Sequence, residues 1–196
     1  MTGPGRMRRI VVVGSYGAGK TTLAARLGSL LGLDVHHLDA LRWLPGWRLR
    51  PLPEWRRILD ELVAGDAWII DGNFEHTLEP RLARADTVIV LDFPTVVSLW
   101  RVSLRQMRGG ARPDLPPGLK ERPNFRFLRL VLTYRRRERP LVRELVERHR
   151  AGRQVIVLRG PHDVAAFVES VQGALPGPIE GVPSARFVRD RSAAGA

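Results

Sequence analysis

At 196 residues the chain is long enough for one domain with a full hydrophobic core and too short for two. With 44% hydrophobic and 27% charged residues, and no apolar run near the roughly 18 residues of a membrane span, the composition is that of a globular, soluble protein. A net charge of +12 and a pI near 11.5 point toward polyanions, whether nucleic acid, anionic membrane or phosphorylated small molecules, and the lack of cysteine excludes disulfide staples and thiolate metal sites.

The N-terminal "MTGPGRMRRI" leads into a strand with no signal-peptide core, so a cytoplasmic location is expected. "RRIVVVG" (8–14) reads as a buried strand. The segment after Lys20 sets Leu23, Leu27, Leu30 and Leu31 on one helical face before Gly32 stops it. "LDVHHLD" (33–39) is a second strand, followed by a Trp/Pro/Gly/Arg-rich connection and a helix marked by Trp55, Ile58, Leu59, Leu62 and Val63. "AWIIDG" (67–72) and "ADTVIVLDFP" (85–94) are the third and fourth strands, each an apolar run ending in an acid, as expected of strands covered on both faces. In the helix that follows, Val97, Trp100, Leu104 and Met107 are expected to face the core, with Arg101, Arg105 and Arg108 along another face.

Arginines crowd at helical spacing through 101–150, interrupted by "GGARPDLPPG" (109–118), whose Gly and Pro predict a mobile loop, and Pro140 is expected to break or kink its helix. "RQVIVL" (153–158) is the fifth strand, and Val164, Phe167, Val168 and Val171 mark a last helix. Strands alternating with helices predict an α/β three-layer sandwich on a parallel sheet with right-handed crossovers. One domain is expected over 1–174, with a lid at about 105–137, and a frayed or disordered tail over 175–196.

Gly14, four residues, then Gly19-Lys20-Thr21 match the phosphate-binding pattern G-x-x-x-x-G-K-[ST] between a strand and a helix. Glycines let the chain wrap a polyphosphate closely, so that backbone N–H groups from Gly14, Ser15, Tyr16, Gly17, Ala18, Gly19, Lys20, Thr21 and Thr22 can serve it, and the helix N-terminus adds partial positive charge. Lys20 would reach the terminal phosphates, and Thr21 would offer its hydroxyl to a phosphate-bound Mg2+. Lys20 and Lys120 are the only lysines in a chain that otherwise writes arginine, which singles out Lys20 as a site needing a compact ammonium.

Beyond that loop, "HHLDALRWLPGW", "WIIDGNFEHTLEPRLARADTVIVLDFP" and "WRVSLRQMRGGARPD" together resemble the adenylate-kinase-like group known as DNA topology modulation proteins, over roughly 9–147. The resemblance implies a P-loop NTPase fold with a five-stranded parallel sheet in the order 2-3-1-4-5, a substrate segment after the second strand, an arginine-bearing lid after the fourth, and ATP with Mg2+ as ligands. Asp71-Gly72 looks like the Asp-Gly pair of adenylate kinases, where the carboxylate holds magnesium waters and the glycine admits substrate. Asp39-Ala40-Leu41-Arg42 resembles a segment whose arginine grips an acceptor phosphate. Where an adenylate kinase continues to a proline and a phosphate-binding arginine, this chain reads Asn73-Phe74-Glu75. A carboxylate there repels an acceptor monophosphate, since like charges at about 4 Å cost on the order of a few kcal/mol at intermediate dielectric. Arg81 or Arg84 would then supply the missing charge, or the acceptor is a hydroxyl compound positioned or deprotonated by Asp39. Arg101, Arg105 and Arg112 are the expected lid arginines, Arg135, Arg136 and Arg137 would close from its far side, and Arg159-Gly160 would seat the nucleobase.

His36 and His37, adjacent on a strand, face opposite ways and make no shared metal site by themselves. Trp43, Trp47 and Trp55 are either stacking platforms or satellite core. Three functions compete: a Mg2+-dependent kinase moving the γ-phosphate of ATP to a nucleotide or nucleoside, a nucleic-acid-associated ATPase, and a nucleotide-binding regulator without turnover.

Overall fold

The computed structural model describes residues 7–109, 115 and 125–175. In chain order they form β1 (Arg9–Gly14), α1 (Lys20–Leu31), β2 (Val35–His37), α2 (Leu38–Arg42), β3 (Trp43–Leu44), β4 (Arg48–Leu49), α3 (Leu52–Ala64), β5 (Trp68–Asp71), a 3-10 turn at Glu75–Thr77, α4 (Leu78–Arg84), β6 (Thr87–Leu91), α5 (Thr95–Arg108), α6 (Phe125–Arg148), β7 (Gln154–Leu158) and α7 (Pro161–Gly173). Five strands pair in parallel as β2-β5-β1-β6-β7, which among these five alone is the order second, third, first, fourth, fifth. The expected connection after β2 contains a small antiparallel hairpin, β3–β4, which the sequence pattern does not announce.

Alternation along the strands divides the core in two. Ile10, Val12, Ile69, Ile89 and Leu91 pack with α1 and α7, whereas Val11, Val13, Ile70, Val88 and Val90 pack with α3, α4 and α6. Each such buried aliphatic side chain contributes about 1.5–3 kcal/mol relative to exposure, so both faces of the sheet are held. The apolar runs therefore mark strands covered on both sides, as parallel sheets require. No helix among the described residues is long and apolar enough to cross a membrane.

Two expectations about helices are corrected. On α5 the buried positions are Ser98, Val102 and Gln106, while Trp100 and Met107 are exposed. The cause is close packing against the phosphate loop: a Cβ on Gly17 would lie 2.6 Å from the Val102 Cγ2 and 3.0 Å from the Ser98 carbonyl, so the bulky residues take the outer face. Helix α6 runs through Pro140 without a break. Pro140 is exposed and the helix is clamped on either side by buried Val131, Tyr134, Val142 and Val146, so packing outweighs one lost backbone hydrogen bond. The two arms of the expected lid, 105–108 and 125–137, are helical, Leu115 between them is a buried bend, and most of the loop (110–114 and 116–124) lies outside the described residues, as does 176–196 of the expected tail.

Candidate active site

The site lies at the carboxyl ends of the parallel strands, beside the point where the chain switches from one side of β1 to the other. Gly14 ends β1 at φ 129°, and Gly17 and Gly19 continue the loop with φ 71° and 95°. A Cβ on Gly14 would lie 2.2 Å from the Leu91 carbonyl oxygen, so only glycine fits between the loop and β6. Hydrogen bonds fix the loop from both neighbours: the Ser15 N–H donates to the Leu91 carbonyl (2.8 Å) and the Gly14 N–H to the Asn73 Oδ1 (3.0 Å). Lys20, at the start of α1, donates through Nζ to the Gly14 and Ser15 carbonyls, both at 3.0 Å, which leaves one of its three donors for a ligand. Burial lowers the Lys20 pKa, and the charges of Asp39 and Asp71 oppose that shift.

Around this loop stands a cavity of about 1360 Å³, larger than the roughly 300–1,000 Å³ of ordinary small-molecule sites. Thr21 and Thr22 line it from the first turn of α1, and Asp71 from the end of β5, 4% exposed. The His37 Nδ1 lies 2.7 Å from the Asp71 Oδ1, which fixes that carboxylate. Asp39 also lines the cavity, but from α2, two residues past the end of β2, rather than from the strand itself. From α5, Arg101 donates to the Ala18 carbonyl (3.3 Å) and lies over the Phe93 ring, and Arg105 lies over the ring of Phe127. Gly72 and Asn73 complete the floor. Phe74 and Trp47 line the cavity with φ 36° and 59°, a left-handed conformation unusual for bulky residues and typical of functional sites.

Several expected site residues stand elsewhere. Arg81 is fully buried and donates to the carbonyls of Gly72 (2.8 Å), Asn73 and Thr77 (2.9 Å), so it holds the turn after β5 in place of meeting a substrate. Burial brings its pKa down to about 9, leaving it charged at neutral pH. Arg42 is spent on the Arg50 carbonyl and lies 5.6 Å over the Trp55 ring, bracing the hairpin. Arg84 donates to the carbonyls of Val63 and Ala64. Arg159 and Gly160 follow β7 outside the cavity lining, and the Arg159 N–H is taken by Asp163. Arg135, Arg136 and Arg137 are exposed on α6, outside the lining. Arg112 lies outside the described residues. Of the tryptophans, Trp55 is core, whereas Trp43 and Trp47 meet edge to face at 5.4 Å and line the cavity.

Sequence reasoning missed Glu138. It reaches the cavity from α6 and accepts a hydrogen bond from the Tyr16 hydroxyl at 2.8 Å. Burial raises its pKa, and the charge of Glu75 adds to the rise. The available signal was its setting in "RRRERP", a lone acid in an arginine run. Tyr16 in turn meets Phe127 and Tyr134 edge to face, tying the phosphate loop to α6. A second link is the ion pair at the end of β6, where Arg139 grips Asp92 with two contacts of 2.7 and 2.6 Å.

No protein-family model matches the chain, and no curated protein matches it. Among solved structures, similar folds include a shikimate kinase from Bacteroides thetaiotaomicron (TM-score 0.52, 17% identity, covering 85% of this chain and 97% of that one). A gluconokinase from Sinorhizobium meliloti 1021 follows (TM-score 0.51, 16% identity, 85% and 90%). A shikimate kinase from Acinetobacter baumannii, in complex with shikimate, is similar at TM-score 0.50 (20% identity, 85% and 91%). At these identities the likeness concerns the fold: this chain, with its five-stranded parallel sheet between helices, shares its α/β fold with these kinases.

Proposed function

We propose that the protein is a Mg2+-dependent kinase that transfers the γ-phosphoryl group of ATP to a hydroxyl of a small acceptor. The observation that carries this reading is one cavity in which the phosphate loop, with Lys20, Arg101 and Arg105, faces a second wall bearing Asp39. Backbone N–H groups of the loop and Lys20 would hold the β- and γ-phosphates, and the two arginines would offset the charge that spreads over the transferring group. Thr21 and Asp71 offer hard oxygen donors on the same cavity wall, a set that suits Mg2+ held partly by substrate phosphates. The bound ion would neutralise charge on the phosphates. His37 keeps the Asp71 carboxylate oriented toward that task.

In the transfer, the acceptor oxygen forms a bond to the γ-phosphorus while the bond from that phosphorus to the β,γ-bridging oxygen breaks. ADP leaves with that electron pair, and the hydroxyl proton passes to the Asp39 carboxylate. A nucleoside monophosphate is the acceptor that likeness to nucleotide kinases suggests. None of the arginines expected to grip its phosphate, Arg42, Arg81 or Arg84, lines the cavity, and Glu75 does. The acceptor is therefore read as a hydroxyl compound without a phosphate.

A second reading, a nucleic-acid-associated ATPase akin to DNA topology modulation proteins, is favoured by one observation: Arg135, Arg136 and Arg137 lie exposed on α6, away from the cavity, in a chain of net charge +12. ADP release measured with Mg2+-ATP over a panel of hydroxyl acceptors, with and without duplex DNA, separates the two. Acceptor-dependent release supports the kinase. Release that ignores acceptors, rises with DNA and falls steeply with salt supports the ATPase.

A further inference from the structure

The acceptor side of the cavity carries two carboxyl groups for which the transfer reaction has no use. Glu75 comes from the turn after β5 and Glu138 from the middle of α6, and both line the cavity, close enough for the Glu75 charge to push the Glu138 pKa up. Among the described residues neither makes an ion pair, although arginine is abundant; Glu138 accepts from the Tyr16 hydroxyl, and the Asn73 amide and the Lys20 ammonium lie near enough to favour its charged form without an ion-pair contact. Nor do they form a metal site: no three His, Asp or Glu side chains among the described residues converge to hold an ion. Two neighbouring carboxylates in a partly desolvated wall call for an organic cation.

A second observation points to a ligand there. Asn73 is 6% exposed and lines the cavity; its Oδ1 is committed to the Gly14 N–H, and its Nδ2 is buried with no hydrogen bond of normal geometry, although it lies near enough to the Glu138 and Tyr16 side chains to favour their charged forms. A buried amide donor left unmet costs free energy until an acceptor atom arrives. A hydroxyl oxygen supplies one, and its own proton can go to a carboxylate. Trp43 and Trp47 add ring faces and edges on the same cavity, surfaces that favour an ammonium over an anion.

Resting on the kinase reading above, we infer that the phosphate acceptor is a hydroxylated amine, such as an amino alcohol or amino sugar, bound with its ammonium between Glu75 and Glu138 and a hydroxyl on the Asn73 amide. The basic end of the cavity then receives the nucleotide and the acidic end the acceptor, and a sugar acid or a sugar phosphate is repelled from the second site. Charge thereby sorts the two substrates into their places.

The test is acceptor-dependent ADP release by the full chain with an amino sugar, its N-acetylated form, the parent sugar and the corresponding sugar acid, supplemented by calorimetric binding of each compound in the presence of ADP and Mg2+. The amino sugar is expected to give the highest kcat/KM. In Glu75→Gln and Glu138→Gln its KM should rise about tenfold each, and the KM of the parent sugar by about twofold at most, the split expected when a buried charge contact is lost. Glu138→Gln keeps an oxygen for the Tyr16 hydroxyl, so loss of the loop contact does not confound the result. Preference for the sugar acid, or equal KM changes for charged and neutral acceptors, would overturn the inference and leave the kinase intact. If none of the four is phosphorylated, calorimetric binding decides: amine binding lost in both variants supports the site, and no amine binding overturns it. Failure of the kinase reading shows separately, as the absence of ATP binding or as ADP release that ignores every acceptor and rises with DNA.

Discussion

The two halves of the cavity are built in opposite ways. The half proposed for the nucleotide comes from one contiguous stretch, 14–22, with Arg101 and Arg105 added from α5, and carries three cations; the half proposed for the acceptor is gathered from α2, the β3–β4 hairpin, the turn after β5 and α6, and carries Asp39, Glu75 and Glu138 beside His76 and Arg126. A triphosphate is a constant ligand, and a short loop with fixed backbone dihedrals suffices for it. An acceptor varies in shape, and its wall is assembled by tertiary packing, so the same fold can serve different acceptors by changing a few distant residues.

The largest effect that can break this contrast is at the loop. Lys20→Ala should lower kcat/KM by about 1000-fold in the ADP-release assay while leaving the melting temperature close to wild type, because the side chain bonds only two carbonyls of its own loop. A thermal melt of Arg81→Ala should show about 3 kcal/mol of lost stability, since three carbonyls of the turn that carries Glu75 lose a buried donor. If that variant folds as well as wild type and loses only acceptor affinity, the structural role given to Arg81 is wrong.

Asp39→Asn should cost about 100-fold in kcat with little change in the KM for ATP, which separates proton removal from nucleotide binding. A smaller effect tests the tie between the sheet and α6. Contact with Arg139 holds the Asp92 carboxyl below the ordinary aspartate range, so the pair stabilises fully above that range and the contribution is lost as pH falls through the lowered folded value. Asp92→Asn should therefore cost about 1 kcal/mol at pH 7, with solvent screening the outer side of the pair, and nothing in strong acid. Glu138 has the opposite sign. Its raised pKa means the ionised carboxylate destabilises the fold at neutral pH, so Glu138→Gln should melt higher than wild type at pH 8, with the gap closing toward the ordinary glutamate range.

The sheet was legible because β1, β5 and β6 are apolar runs that end at a glycine or an acid and β7 is a further apolar run, and the loop because its chemistry is local. What escaped was set by packing across the chain. Val102 took the inner face of α5 because Gly17 admits close contact there, a constraint invisible in the helix's own periodicity, which favoured Trp100 and Met107. Arg42 and Arg81 match the expected spacing, yet both found carbonyl partners nearer than any substrate. Glu75 was conspicuous as a departure. Its partner Glu138 lies 63 positions later in sequence and meets it only when α6 crosses the loop. Pro140, expected to break or kink its helix, does not break it, because local propensity is weaker than a helix anchored by buried residues on both sides.

The most direct test of the central claim, that the loop at the end of β1 cradles a triphosphate, is a calorimetric titration of Mg2+-ATP into the wild-type chain and into Lys20→Ala. The account predicts saturable heat with a Kd between about 1 μM and 1 mM for the wild type and at least a tenfold weaker Kd for the variant. Absence of heat with the wild type at millimolar ATP, or identical isotherms for both proteins, would contradict it.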